Sequence, residues 1–356
     1  MAPENSAVVG NGPGQAAVLD IPYPSLPNPE WLIVRATAVA LNPTDYKHLF
    51  IPGEASVDGA VLGHDFAGVV EEVGEALSGK FKRGDRVAGA VNGSNVLAKW
   101  QGAMQKYIAA NGKLVYKVPE NISDVEASTL NTAIITSAIS LYQKLGLPLP
   151  SQPLTNGTPV FIYGGSGAVA MIGLQLAKLS GCTVITTASP SNFELLRSLG
   201  ADHVVDYRSE NLVEDILSFT NGTLLNHAWD AQAVGSSAEV CLSILEDSSS
   251  SRVASLGGPR PQALQDKNPK VQWFGTNAYT AYGEKFHLFG VHNPVPEDFE
   301  FAGRIIEIGQ SLLAEGKLKP TRAFVDRGGK GLAGMLEGLE EMGAGKVRGG
   351  KLVYTL

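Results

Sequence analysis

Pro159-Val-Phe-Ile-Tyr-Gly-Gly-Ser-Gly-Ala-Val-Ala170 is the stretch on which the reading of this 356-residue chain turns. Val160 to Tyr163 form a short apolar run, which suits a strand buried on both faces. The run stops at Gly164-Gly165-Ser166-Gly167, and from Ala168 to Leu179 the residues Val169, Ile172, Leu176 and Leu179 follow helical spacing. G-x-G-x-x-G/A carries physical meaning only in this strand–turn–helix setting. There Gly165 permits the tight turn, Gly167 lets the backbone approach a pyrophosphate, and Ala170 lets the helix lie close on the sheet. The helix start offers unpaired N–H groups and a positive dipole end to phosphate.

The residues that follow strengthen this reading. Thr183–Ala188, His203–Tyr207, His227–Asp230 and Arg252–Leu256 read as strands. Asn192–Leu199, Leu212–Phe219 and Ala238–Leu245 read as the helices between them. Such alternation builds βαβ units and a parallel, doubly wound sheet, the fold of a dinucleotide-binding domain. A site selecting NAD usually places Asp or Glu about 20 residues after the first glycine. Here Thr186-Thr-Ala-Ser-Pro-Ser-Asn192 has no acid, so nothing repels a 2′-phosphate and NADPH is favoured. Ser189, Ser191, Asn192 and Tyr207 are the expected 2′-phosphate contacts, and Arg208 is a nearby source of positive charge.

Length and composition set outer limits. The length suggests two domains, and 44% hydrophobic with 18% charged residues suits a globular protein with a large core. A net charge of −7 without a basic stripe argues against nucleic acid or an anionic membrane as main partner. No apolar run approaches a membrane span, and the N-terminus lacks a secretory pattern, so a cytoplasmic location is expected. Cys182 and Cys241 read as small core residues.

Before the dinucleotide core lie about 120 residues of irregular β structure. Pro22, Pro24, Pro27 and Pro29 argue against regular central structure in residues 1–30. Trp31–Ala40 is β-rich and leads into the polar turn Leu41-Asn-Pro-Thr-Asp-Tyr-Lys47. Val61–Gly74 and Lys82–Gly89 read as strands with glycine corners. Ser123–Leu145 is helical in period, Phe299–Glu315 and Gly331–Met342 are amphipathic helices, and Lys351–Thr355 is a closing strand.

With Asn42-Pro-Thr-Asp-Tyr-Lys47, Gly63-His-Asp-Phe-Ala-Gly68 and Gly84-Asp-Arg-Val87 at these intervals, the chain resembles the medium-chain dehydrogenase/reductase superfamily over nearly its whole length. The resemblance implies an α/β fold: a GroES-like, β-rich substrate domain over 1–127 and 288–356, and a Rossmann-type NADPH-binding domain over 128–287. In zinc members a Cys, a Gly-His-Glu and a second Cys or Asp supply the metal site. Here Asn42 stands at the first position, Gly63-His64-Asp65 at the second, and residues 90–110 contain no cysteine. Catalytic zinc needs about three converging side-chain ligands, so no metal is expected and His64 reads as a hydrogen-bonding residue at a strand corner.

Without a Lewis acid, conjugate reduction of an activated C=C fits better than alcohol oxidation. Its developing enolate oxygen needs preorganised donors, and its α-carbon needs a proton. Lys47 is the leading donor, because its turn is similar to the Asn-Pro-x-Asp-x-Lys motif of zinc-free reductases, where the lysine reaches toward cofactor ribose and nicotinamide. Asn42 and Thr44 share that turn and are candidate cofactor contacts. Ser137 falls where relatives place a pocket hydroxyl, with Thr136 a near-equal alternative. Tyr46 and Tyr282 are possible proton donors, whereas Asp65, Glu71 and Glu72 read as structural or solvated charges.

Leu145-Gly-Leu-Pro-Leu-Pro150, Tyr279-Thr-Ala-Tyr-Gly-Glu284 and Gly345-Lys-Val-Arg-Gly-Gly-Lys-Leu-Val-Tyr354, with Ser189–Asn192 and Asp206–Arg208, narrow the resemblance to fungal trans-acting enoyl reductases of polyketide synthases. That resemblance implies NADPH-dependent reduction of an enoyl thioester on a synthase's acyl-carrier domain. It implies pyrophosphate contacts from the Gly164-Gly165 turn through Ser166, Gly167, Ala168 and Val169. Leu256 and Gly257 would pass the nicotinamide half, Val347 and Arg348 would close the site, and Gly283 and Glu284 would border the substrate. Ser191 stands where relatives often carry a basic residue, and Ser137 where some carry threonine. The competing expectations are an NADPH quinone or enone reductase acting on diffusible small molecules, and a non-redox member of the fold.

Overall fold

A computed structural model describes residues 3–356. They divide into two compact units, one comprising the chain up to Thr132 together with Tyr279–Leu356, the other Ala133–Ala278.

In the second unit, short apolar runs form a six-stranded parallel sheet. In spatial order the strands are His203–Asp206, Thr183–Ala188, Pro159–Tyr163, His227–Asp230, Arg252–Ser255 and Gln272–Gly275. Counted along the chain this is 3-2-1-4-5-6, the doubly wound order. The order reverses between Pro159–Tyr163 and His227–Asp230, whose ends lie in register at Tyr163 and Asp230. Phe161, Ile185, Ala228 and Val253 give the sheet one apolar face, packed against Ile216, Val240 and Leu242 from the helices. On the helix Ala168–Leu179, Gly173 faces the fully buried Trp229, and a Cβ there would lie 2.2 Å from the indole ring. The strand Gln272–Gly275 escapes the sequence reading; it lies at the sheet edge and none of its four residues is fully buried.

The segment Ser123–Leu145, helical in period, is not one helix. It comprises Asp124–Ser128, Asn131–Ala138 and a π-helical stretch Ile139–Lys144. Ser140 Oγ donates to the carbonyl of Thr136 at 2.9 Å, the kind of side-chain competition that loosens the regular ladder.

The first unit is built on a seven-stranded sheet. Ala323–Val325, Lys351–Thr355, Trp31–Ala40, Asp65–Val73, Arg86–Ala90 and Val115–Lys117 follow one another in space, and Tyr107–Asn111 pairs with the start of Trp31–Ala40. The closing strand lies antiparallel beside Ala38–Ala40. Leu32, Val34, Phe66, Val70, Met104, Ile108 and Tyr354 fill the core beneath the sheet. A hairpin, Asn5–Gly10 with Ala16–Ile21, occupies part of the stretch from which regular structure was not expected. Pro3 and Pro13 fall outside the two strands, Pro13 in the turn between them, and Pro22 follows the end of the second, so the prolines delimit the hairpin rather than prevent it.

Gly173→Ala tests the close helix–sheet contact. Alanine favours a helix by up to about 1 kcal/mol over glycine, yet the added methyl must push against a buried indole, and overpacking costs about 1–3 kcal/mol. Urea unfolding is expected to show a net loss of stability of about 1–2 kcal/mol. A midpoint at or above the wild-type value would refute the contact.

Candidate active site

The glycine turn of the second unit sits at the point where strand order reverses, the place where doubly wound sheets bind ligands. Gly164 has φ +83°, a conformation side chains rarely adopt, and a Cβ on it would lie 2.1 Å from Gln232 Cγ. A Cβ on Gly165 would lie 2.2 Å from Thr186 Oγ1. The turn is tied down by the Gly164 N–H donating to Thr187 Oγ1 at 2.9 Å and the Gly165 N–H donating to the Thr187 carbonyl at 2.9 Å. Gly167 caps the twelve-residue helix Ala168–Leu179 without a side chain to occupy its N–H groups. Ser166, Ala168 and Val169 are partly exposed on the turn and first helical residues. A backbone cradle at a helix start, stripped of side chains, fits a dinucleotide pyrophosphate.

Residues that the sequence reading passed over build the other wall of this turn. Asp230 is buried; its Oδ1 accepts from the Ala233 N–H at 2.8 Å and its Oδ2 from Ser237 Oγ at 2.8 Å. These bonds shape the loop from which Gln232 Nε2 donates to the Gly164 carbonyl at 3.4 Å. An acid ending an apolar strand was the available signal. On the next strand, Leu256 donates its N–H to the Asp230 carbonyl at 3.1 Å. A Cβ on Gly257 would lie 2.7 Å from that of Ala233.

Ser189, Ser191 and Asn192 cluster after the second strand. Ser189 and Ser191 hydroxyls are 3.2 Å apart, and Asn192 Nδ2 donates to Ser189 Oγ at 3.2 Å. Tyr207 is exposed beyond the neighbouring strand, and its ring lies under the Arg208 guanidinium at 5.6 Å. Arg208 is not a free cation. It forks onto Asp206 at 3.0 and 2.8 Å, and this pairing holds the Asp206 carboxyl below the usual carboxylate range. The corner therefore presents hydroxyls, an amide and a neutralised pair.

Ser137 is fully buried and its hydroxyl donates to the Val169 carbonyl at 2.9 Å, so it ties one helix to another. Thr136 is nearly buried as well, at 7% exposure.

In the first unit, Pro43–His48 is a one-and-a-half-turn helix opened by Asn42. Asn42, Thr44 and Lys47 all lie on it; Lys47 is exposed and Asn42 is buried. Beneath it is a polar network. The Asn42 N–H donates to Asp45 Oδ2 at 2.7 Å, and Asp45 Oδ1 meets His64 Nδ1 at 2.7 Å. Asn42 Nδ2 donates to Asp65 Oδ2 at 2.8 Å, and Lys351 Nζ also bonds that oxygen. His48, pushed down to about 3 by burial and by neighbouring His64, meets the Tyr279 hydroxyl at 3.1 Å. Tyr279 also hydrogen-bonds Thr44, and Tyr282 hydrogen-bonds Thr132; burial raises both phenols. Tyr46 packs its ring against Gly343, where a Cβ would lie 2.4 Å away.

His64 is thus engaged by Asp45, and the amide of Asn42 is committed to Asp65. Among the described residues no group of three or more His, Cys, Asp or Glu is arranged to hold a metal ion. The donor set at these positions does not fit a zinc site.

Val347 is partly buried against the first unit's core and Arg348 is exposed, both just before the closing strand. Gly283 has φ +73° and faces the Phe299 ring. Glu284 is held by Gln101, whose Nε2 donates to its Oε1 at 2.5 Å. It lines a cavity of ≈ 10 Å³ with Asn92, Gln101 and Tyr282. No helix among the described residues is long and apolar enough to cross a membrane.

Residues 28–120 match the alcohol dehydrogenase GroES-like domain model, and residues 168–304 match that of zinc-binding dehydrogenases. The chain is 38% identical to trans-enoyl reductase resD of Aspergillus sclerotiorum, covering 98% of this chain and 99% of that one. It is 36% identical to trans-enoyl reductase ACTTS2 of Alternaria alternata, covering 98% of each. Among solved structures, the CurK enoyl reductase superposes with a TM-score of 0.77 at 22% identity, over 99% of both chains. This chain belongs to the medium-chain dehydrogenase/reductase superfamily of nicotinamide-dependent oxidoreductases and, within it, to the fungal trans-enoyl reductase family.

Glu284 supplies a pH test of the site. Burial pushes its carboxyl up to about 7 from an ordinary 4.5, against the opposing pull of the Gln101 and Asn92 amides. The folded state therefore holds this proton more tightly than the unfolded state. Stability is full below about pH 4.5, falls as pH rises toward 7, and is flat above. Between pH 5 and 8, wild type is expected to lose about 2 kcal/mol more than Glu284→Gln in urea melts. Equal losses in the two proteins would show that the carboxyl is not held protonated.

Proposed function

We propose that this chain is a stand-alone, NADPH-dependent enoyl reductase that acts in trans on an α,β-unsaturated thioester carried by an acyl-carrier domain of a polyketide synthase in the cytoplasm. The observation that carries this reading is the near-full-length identity, 38%, to a trans-enoyl reductase. The glycine turn, and a corner whose Asp206 is neutralised by Arg208, support the nicotinamide cofactor independently.

In this reading the turn Gly164–Gly167, with Ala168 and Val169, holds the pyrophosphate through backbone N–H groups. Ser189, Ser191, Asn192 and Tyr207 surround the 2′-phosphate. The corner accepts that group because it presents no unpaired carboxylate, Asp206 being neutralised by Arg208. Leu256 and Gly257 flank the nicotinamide half, and Val347 and Arg348 close over the cofactor. NADPH, when bound, supplies the hydride that adds to the β-carbon of the enoyl group.

The remaining task of the protein is to stabilise charge. As the β-carbon is reduced, negative charge gathers on the thioester oxygen, and a fixed donor there lowers the barrier. Lys47 takes that role or fixes the cofactor ribose beside it, projecting from a helix anchored through Asn42 and Asp45. Gly283 and Glu284 border the acyl chain. An uncharged Glu284, as burial favours, suits an apolar chain better than a carboxylate would.

The test is NADPH oxidation with crotonyl and longer enoyl pantetheine thioesters, followed by the loss of NADPH absorbance. Thioester turnover is expected, with quinones inert and with Lys47→Ala reducing kcat/KM roughly a hundredfold. Turnover of quinones alone would replace this reading with a diffusible-substrate reductase. NADPH that binds and is never oxidised would leave a non-redox protein.

A further inference from the structure

We infer that Lys351 and Asp65 form a buried clamp that positions the Asn42–Lys47 turn for the cofactor. Neither residue touches cofactor or substrate in this role, and the inference rests on the proposed NADPH-dependent reading.

Asp65 has no solvent contact and every donor it meets comes from the protein. Its Oδ1 accepts from the N–H and the hydroxyl of Thr132, both at 2.7 Å. Its Oδ2 accepts from Asn42 Nδ2 at 2.8 Å and from Lys351 Nζ. Lys351 is itself 3% exposed, and its one other acceptor is the Thr129 carbonyl at 3.5 Å. An ion pair this deeply buried seldom stabilises a fold more than well-packed apolar residues of the same volume would. Its retention therefore calls for a task that apolar residues could not perform.

The connections of the pair supply that task. Asn42 opens the helix that bears Thr44 and Lys47, and its Nδ2 donates to Asp65, outside that helix. Lys351 begins the closing strand, three residues after Arg348 and four after Val347. One carboxylate thus joins the Lys47 turn to the C-terminal segment proposed to close over the cofactor. Apolar replacements could fill the volume, but they would offer the Asn42 amide no acceptor.

The test compares Lys351→Met with Lys351→Met/Asp65→Leu. The single change leaves an uncompensated buried carboxylate and is expected to lower Tm by roughly 10 °C. The double change removes the charge on both sides and is expected to recover most of that loss. NADPH affinity, read by fluorescence titration, should stay roughly tenfold weaker in the double variant, because Asn42 has lost its carboxylate. Adding Lys47→Ala should then weaken binding less than it does in wild type. Recovery of both Tm and NADPH affinity would reduce the pair to a packing element and overturn the inference.

Asn42→Ala, which spares the ion pair, keeps the test open if those variants fail to fold. Amide exchange in residues 44–48 should accelerate roughly tenfold if the Asn42–Asp65 link pins the turn, and unchanged exchange would overturn the clamp. Failure of the enzymatic reading looks different: wild type would not oxidise NADPH with any enoyl thioester, while binding, Tm and exchange would still respond to these changes.

Discussion

A carboxylate with no access to water governs the first unit. Removing Asp65 from solvent costs several kcal/mol unless protein donors replace its hydration. It acquires them from Asn42, Thr132 and Lys351, residues far apart in the chain. The requirement bears directly on topology. The strand that carries Asp65 must sit where the turn after Trp31–Ala40, the end of the Asp124–Thr132 segment and the closing strand all reach it. The closing strand meets this condition by lying beside Ala38–Ala40, whose other neighbour is the strand starting at Asp65. The C-terminal residues are thereby part of the site's foundation, although the second unit lies between them and the rest of the first unit in sequence.

The second unit obeys a steric constraint instead of an electrostatic one. The glycine turn is legible in sequence because its cause is local: a strand must reverse into a helix within a few residues, and only residues without a Cβ fit. The strands and helices of the parallel sheet are legible for the same reason, each carrying its own apolar period. The six strands could not all be found that way, since Gln272-Trp-Phe-Gly275 is assigned by its pairing with Arg252–Ser255. Ser137 shows the converse limit. Resemblance to relatives places a pocket hydroxyl there, and only the fold reveals that this hydroxyl donates to the Val169 carbonyl.

The polar network under the Lys47 turn was the least legible part. Asp45 lies three residues after Asn42, the spacing of a capping acid, and that is a faint signal because such acids are common. The roles of Lys351, His48 and Tyr279 depend on partners distant in sequence, and His48 carries no local mark at all. A lysine at the head of the apolar run Leu352-Val-Tyr354 is the sort of local conflict that points to a special site, although it does not name the partner. The same network bears on the metal positions of the wider superfamily. Asn42 is committed to Asp65 and His64 is held through Nδ1 by Asp45; the buried His64 Nε2 has no partner, yet no group of three His, Cys, Asp or Glu converges among the described residues.

That internal satisfaction bears on the chemistry. A side chain that must polarise an oxygen during reduction has to be free to reach it, and the other two candidates of the turn are tied to the protein. Asn42 gives its N–H to Asp45 and its amide to Asp65, and Thr44 is engaged with Tyr279. Lys47 alone among the three candidates on this helix projects outward, exposed on the last turn of Pro43–His48. The buried members fix the helix and the exposed member is left to act. The division follows from solvation: an ammonium on a flexible stem needs water or a partner anion to keep its charge, whereas amides and hydroxyls can be buried once their bonds are made. The turn can be read as a rigid mount with one mobile cation, which is the arrangement that proposed reduction of a tethered enoyl thioester requires.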